Sequence, residues 1–228
     1  DKIRVLIEKP VFEEYKNIKF TLLKNKYFVG YNLRFHPVIR YLKNYLKGKK
    51  VYFIDVNCYS YLPNWRKGIN YSGSVSSLKK LGGGVLLELS HEIDYLLWFF
   101  KKIKILNVFN KKISNLKINT DDILLLNGYI KKKTIVNLSI NFFSRINRRE
   151  IFVDGKNFSL KANILNNTIS ILEGEKKRLI KFKKFKMRET YKLENFNIIK
   201  KNYKDICSLQ EGLYLLKLIE LIKKKNEN

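Results

Sequence analysis

Glu88, His91, Glu92 and Asp94 lie within one short stretch, residues 82–100, GGGVLLELSHEIDYLLWFF. On a helix, side chains three and four positions apart share a face, which places Glu88 one turn before His91 and Asp94 one turn after it. A histidine flanked by two carboxylates can act as a general base, because the carboxylates fix its tautomer and hold its pKa in a working range. Leu86, Leu89, Ile93, Leu97 and Phe100 would bury the rest of that helix. The same pattern also fits a core histidine satisfied by its neighbours.

Elements on both sides must position these groups. The run 3–7, IRVLI, reads as a buried strand, followed by Glu8-Lys9-Pro10. Helical spacing over 11–25 and a strand at 27–31 complete one strand–helix–strand crossover of a parallel sheet. Pro37 opens an amphipathic helix over 38–47, and 50–59 reads as a strand. The polar and aromatic segment 60–81 carries Trp65, Arg66 and Tyr71, and its length marks a functional loop. Beyond Lys104, runs at 104–110, 122–130, 134–143, 149–153, 157–162, 168–172 and 178–183 have the spacing of an antiparallel meander. Asp154-Gly155 and Glu173-Gly174 supply turn residues. A helix falls within 187–203, and another covers 209–224 with Ser208 as N-cap.

Composition bounds the classes available. The chain has 228 residues, 45% hydrophobic and 14% aromatic, enough for a substantial core and too apolar for a disordered segment. No apolar run approaches the roughly 18 residues a membrane helix needs, and the start DKIRVLIEKP has no signal-peptide pattern. Two cysteines, Cys58 and Cys207, are too few for a disulfide framework, so the default compartment is the cytoplasm. The net charge of +27 admits two readings: a polyanion-binding surface, or a lysine- and asparagine-rich composition spread through every segment. No RNA- or DNA-binding signature is present and no metal site is expected, which favours composition over nucleic acid. The only methionine is Met187, so the sequence reads as a fragment or a processed product.

EKP at the end of a strand, then GYNLRFHP, then GGGVLLELSHEIDYLLWF, in that order, resembles the glucose–fructose oxidoreductase / inositol dehydrogenase / MocA family. The resemblance implies an α/β fold in two parts. Residues 1–33 would be the last βαβ piece of a Rossmann domain. Residues 34–228 would be an α+β substrate and oligomerisation domain with an open, mainly antiparallel sheet flanked by helices. It further implies an NAD(P)-dependent oxidoreductase acting on a sugar, nucleotide sugar or polyol, and a homo-oligomer formed through the sheet face. Lys9 matches the family lysine at the nicotinamide, with Glu8, Pro10 and Asn32 beside it as cofactor contacts. His91 matches the usual general base and Asp94 the aspartate of the HxxD pattern. Arg34 would hold an acidic substrate or the cofactor, with a structural ion pair as the equal alternative. Trp65, Arg66 and Tyr71 match sugar-contacting positions, with loop packing as the alternative.

Two departures stand out. The family acid lies four residues before the histidine, whereas Glu88 lies three before it, as a substitute substrate contact. No GxGxxG follows any strand, so the phosphate-binding loop is missing and the chain is expected to be inactive alone. The other class of function left open is a non-catalytic basic domain for assembly or polyanion binding.

Overall fold

The computed structural model describes residues 3–12, 15, 26–130 and 133–227. Strands β1 (Val5–Ile7) and β2 (Tyr27–Val29) pair in parallel, as the crossover reading requires. Most of the helix expected over 11–25 lies outside the described residues. A turn of 3-10 helix at Asn32–Phe35 leads into α1 (Pro37–Tyr45), which has proline in its first turn. Strand β3 (Val51–Tyr61) follows. The segment expected to be a polar loop coils through four short 3-10 turns between Leu62 and Leu81.

The stretch 82–100 is two helices rather than one. Helix α2 (Val85–Glu88) stops at Leu89, and α3 (His91–Phe100) starts afresh. Then come β4 (Lys104–Lys111), β5 (Ile123–Ile130), β6 (Thr134–Asn141), β7 (Phe143–Gly155), β8 (Phe158–Asn163), β9 (Thr168–Glu173) and β10 (Lys176–Lys181). Helix α4 (Arg188–Ile199), the short strand β11 (Cys207–Ser208) and helix α5 (Leu209–Glu227) close the chain. The first hairpin turns at Lys156-Asn157, two residues past the expected Asp154-Gly155, because Gly155 still pairs with Phe158. The second turns at Gly174, where φ is +58.

The eight-stranded sheet has the order β10-β9-β8-β7-β3-β6-β5-β4. It is open and antiparallel except for one pair: β3 lies between β6 and β7, parallel to β6. Only Phe142 separates β6 from β7 in sequence. Its carbonyl accepts from Leu62 N at 2.9 Å just beyond β3, so the chain crosses the end of the inserted strand there and turns back. Two meanders thus flank a central strand. One face carries Ile54, Val56, Leu124, Val136, Leu138 and Ile140, all buried under the helices. Each such side chain contributes roughly 1.5–3 kcal/mol relative to exposure. The other face carries a polar ladder, Asn127 to Asn137 to Asp55 to Asn57 to Tyr59, beside exposed Leu125 and Ile135.

A second, three-stranded sheet has the order β1-β2-β11, with β11 antiparallel to β2. Residues near the C-terminus therefore complete the sheet begun at the N-terminus. Helix α5 can lie on β2 because Gly212 faces Val29, where a Cβ would collide with the valine side chain. Ser208 caps α5 as expected, and reciprocally: Glu211 N donates to Ser208 Oγ and Ser208 N donates to Glu211 Oε2. Among the described residues no helix is long and apolar enough to cross a membrane.

Arg34, in the 32–35 turn, ties these parts together. Its Nη2 and Nε bind Asp94 of α3 at 2.7 and 2.9 Å, and its Nη1 binds Glu211 of α5 at 3.0 Å. Removing one member of a buried pair strands the other charge. The expected result for Asp94→Ala is a loss of about 3–5 kcal/mol of unfolding free energy, measured by denaturant titration. A loss under about 1 kcal/mol, the range of a surface pair, would contradict this role.

Candidate functional site

The site is built where the helix breaks. Gly84, at φ +111, admits the chain to α2, and Asp121 closes the helix start: its carbonyl accepts from Val85 N and its Oδ2 from Leu86 N. At the other end the break at Leu89 leaves Glu88 O without a helical partner and Leu87 O with only a long bond from Ser90 N, 3.4 Å. Lys9, just past β1, fills that role. Its Nζ donates to Leu87 O at 3.2 Å and Glu88 O at 2.9 Å, with Glu88 Oε1 at 3.9 Å. The Lys9–Pro10 bond is cis. Ser90 Oγ also donates to Leu87 O, at 2.8 Å, and lies 3.3 Å from the Tyr31 hydroxyl.

His91 opens α3 next to this knot. Its ring meets Tyr31 edge-on at 5.5 Å, and its Nδ1 is buried without a hydrogen-bond partner among the described residues. Burial, and then the positive charges of Lys9 and Arg149, hold its pKa well below the ordinary histidine value. The imidazole is therefore neutral at pH 7, able to accept a proton. Burial also lowers the pKa of Lys9, against the opposing pull of Glu88, Glu92 and Glu8.

Lys9, Glu88 and His91 line one cavity of about 750 Å³, together with Trp65 and Arg66 from the long loop. Ser76 Oγ donates to Glu88 Oε2 at 3.2 Å, which fixes the carboxylate at the rim. The other singled-out residues sit elsewhere. Asp94 does not touch His91; both its oxygens are held by Arg34, which realises the ion-pair alternative for Arg34. Tyr71 packs against the core, and its hydroxyl accepts from Lys117 N at 3.0 Å, the loop-packing alternative. Trp65 meets Phe142 edge-on at 5.1 Å and still reaches the cavity. Asn32 is buried and donates to Thr190 Oγ1 at 2.6 Å. On either side of Lys9, Glu8 is exposed and Pro10 is half-buried.

Sequence reasoning passed over several cavity residues: Ser60, Arg148, Arg149, Met187 and Tyr191. Arg149 is the most consequential. Its Nε donates to Glu92 Oε1 at 2.7 Å, and its Nη2 is buried without a hydrogen-bond partner among the described residues. In a chain with 47 lysines and arginines nothing distinguishes this one by sequence. Among the described residues no cluster of three or more His, Cys, Asp or Glu side chains could hold a metal ion.

No protein-family model matches the chain, and no curated protein matches its sequence. Solved structures do resemble it. Levoglucosan dehydrogenase in complex with NADH is similar with a TM-score of 0.82 at 15% identity, over 98% of this chain and 71% of that one. The fold is that of glucose–fructose oxidoreductase / inositol dehydrogenase / MocA-type dehydrogenases. UDP-N-acetylglucosamine 3-dehydrogenase from Acidithiobacillus ferrooxidans is similar with a TM-score of 0.68 at 16% identity, over 87% of this chain. This chain spans 61% of that enzyme's length. A super-repressor mutant of Gal80p from Saccharomyces cerevisiae is similar with a TM-score of 0.75 at 14% identity, over 99% of this chain and 70% of that one.

Glu194 of α4 lies behind the site, buried, with its Oε1 unpaired among the described residues. Burial, then Glu8 and Asp94, push its pKa up to about 8. Its unfolded value is about 4.3, so the folded state holds a proton that the unfolded state has released between those values, and stability falls as pH rises through that window. Glu194→Gln should therefore be more stable than the parent at pH 8 and equal to it near pH 4. Parallel melting curves at the two pH values check this, and an advantage that does not grow with pH would refute it.

Proposed function

We propose that this chain is the substrate-binding part of a nicotinamide-dependent oxidoreductase that interconverts a hydroxyl and a keto carbon of a sugar, nucleotide sugar or related polyol. Lys9 and His91 are the catalytic pair. The observation that carries this reading is the convergence of Lys9 and His91 on one cavity, the lysine held there by carbonyls that a helix break sets free.

Two of the three Lys9 N–H donors are taken by carbonyls, leaving one for Glu88 or a ligand oxygen. An ammonium in that position stabilises an alkoxide as it forms. Neutral His91 takes the hydroxyl proton. The resulting imidazolium is disfavoured between Lys9 and Arg149, so it readily passes its proton on. Glu88, anchored by Ser76, holds Lys9 in place and reaches the cavity as a substrate contact. Asp94 acts at a distance, fixing α3 through Arg34 rather than orienting the His91 ring.

A bound nicotinamide would supply the hydride acceptor or donor. The described residues fit its reacting end, through Lys9, and not its phosphates. Gly83 packs against the Ser76 backbone and Gly84 against the Asp121 carboxylate, so these two glycines serve packing, with an anion behind them. The levoglucosan dehydrogenase complex with NADH supports a nicotinamide cofactor. A separate domain for its phosphates, and assembly of copies through the open sheet face, are parts of the same reading.

The test joins the chain to a dinucleotide-binding domain and follows nicotinamide absorbance with candidate sugars. Lys9→Ala and His91→Ala should each lower kcat about 10²–10⁴-fold, the usual share of an acid–base group, with the fold unchanged by circular dichroism. Activity should fall as pH rises through the lowered Lys9 pKa, because the ammonium is the working form. Lys9→Arg should move that fall to higher pH. Full turnover in both alanine variants would rule the pair out.

The repressor relative favours keeping a second, non-catalytic reading of the fold in view, as a basic domain for assembly or polyanion binding. Polyanion affinity that drops steeply with salt and ignores His91→Ala, in a protein without turnover, would select it.

A further inference from the structure

Arg149 enters the cavity from β7, within the central strands of the sheet. Glu92 holds one edge of its guanidinium at 2.7 Å and so fixes the plane of the group. On the other side Nη2 is buried and makes no hydrogen bond among the described residues. A buried donor on a cation rarely goes unused in a folded protein, and an arginine fork fits a carboxylate or phosphoryl group through two parallel hydrogen bonds. The surroundings point the same way. Arg66 and Arg148 line the same cavity, and Glu88, the one acidic residue lining it among the described residues, lies against Lys9. Ser60, also on the wall, has a buried hydroxyl without a partner among the described residues.

We propose that the cavity selects anionic sugars, with Arg149 as the anchor for the ligand's carboxylate or phosphoryl group and Arg66 and Arg148 completing a positive wall. The proposal rests on the reading of this cavity as a sugar site. Arg149 is close enough to His91 to act on its charge, so the anionic group would sit near the reacting carbon rather than on a remote part of the ligand. Its negative charge would also offset the repulsion that Arg149 exerts on a protonated His91. The anion thus helps the proton step while it fixes the ring.

Direct binding to the chain, measured by calorimetry at low salt, separates this from the proposed turnover. The probes are glucuronate, glucose 6-phosphate and glucose. At least one acidic sugar should bind about tenfold or more tightly than glucose, the gain expected of a hydrogen-bonded charge pair. The carboxylate and phosphate arms show which anion the fork prefers. Arg149→Lys should erase most of that preference. Because removing Arg149 leaves Glu92 buried and unpaired, the double variant Arg149→Met with Glu92→Gln gives a neutral replacement. Arg66→Ala with Arg148→Ala tests the wall without touching the buried pair. Equal affinity for acidic and neutral sugars, no binding of any of them, or a preference unchanged in all these variants would overturn the proposal. Acid-selective binding without nicotinamide-dependent turnover would instead overturn the enzymatic reading and leave this one standing. Turnover of neutral sugars with no acid preference would do the reverse.

Discussion

The buried Arg34 guanidinium is the constraint on which the rest of the arrangement depends. It belongs to a turn that follows directly on β2 of the small sheet, and it grips α3 through Asp94 and α5 through Glu211. Trp98, one turn along α3, offers its ring at 5.5 Å and takes Lys43 at 3.3 Å. Three elements from distant parts of the chain are therefore fixed around one cation. A buried ion pair is a poor source of net stability compared with apolar packing, but it is intolerant of misalignment. Here that intolerance has a use: it sets the start of α3, and with it His91, relative to the strand end that carries Lys9.

The break between α2 and α3 does the complementary work. A continuous helix over 85–100 would consume the carbonyls of Leu87 and Glu88 in its own ladder. Stopping at Leu89 releases them, and a cation comes in to satisfy them. Leu87 O receives both Lys9 Nζ and Ser90 Oγ. The lysine is thus held by backbone, which cannot rotate away as a side-chain partner could. Its third donor and its lowered pKa follow from the same geometry.

How far the sequence reveals this differs by element. Strands β5 to β9 are legible because each carries buried positions on one face, and burial writes a period of two into the residues. Their order is not, since the insertion of β3 between β6 and β7 depends on pairings between residues far apart in the chain. The apolar pattern of 85–100 runs unbroken through Leu89, so periodicity alone reads one helix; the cation that satisfies the carbonyls at the break, Lys9, is a contact no window contains. Spacing does put Asp94 one turn from His91. Sharing a face does not make a contact, however, and the stronger partner, Arg34, takes the carboxylate. His91 and Lys9 are found through motif order. Arg149 carries no motif at all, and only its place under the cavity marks it.

Nine buried side-chain polar atoms have no hydrogen-bond partner among the described residues; His36 Nδ1, Thr120 Oγ1, Glu194 Oε1 and Tyr203 OH lie apart, and the other five gather near the cavity. His91 Nδ1, Ser60 Oγ, Glu92 Oε2, Tyr95 OH and Arg149 Nη2 all belong to residues lining the cavity or packed directly behind it through the Glu92–Arg149 pair. Leaving a buried donor or acceptor without a partner costs about 1–3 kcal/mol each. A fold that satisfies Arg34 with three hydrogen-bonded carboxylate contacts, and Asp122 with an entire turn of donors, has the means to satisfy these as well. The three on the cavity wall itself offer capacity for something that is not protein, with hydroxyls to match Ser60 and His91 and a negative group to match Arg149. Those are the complementary features of an acidic sugar, and they arise from a different part of the chain than the motifs that first drew attention to Lys9 and His91.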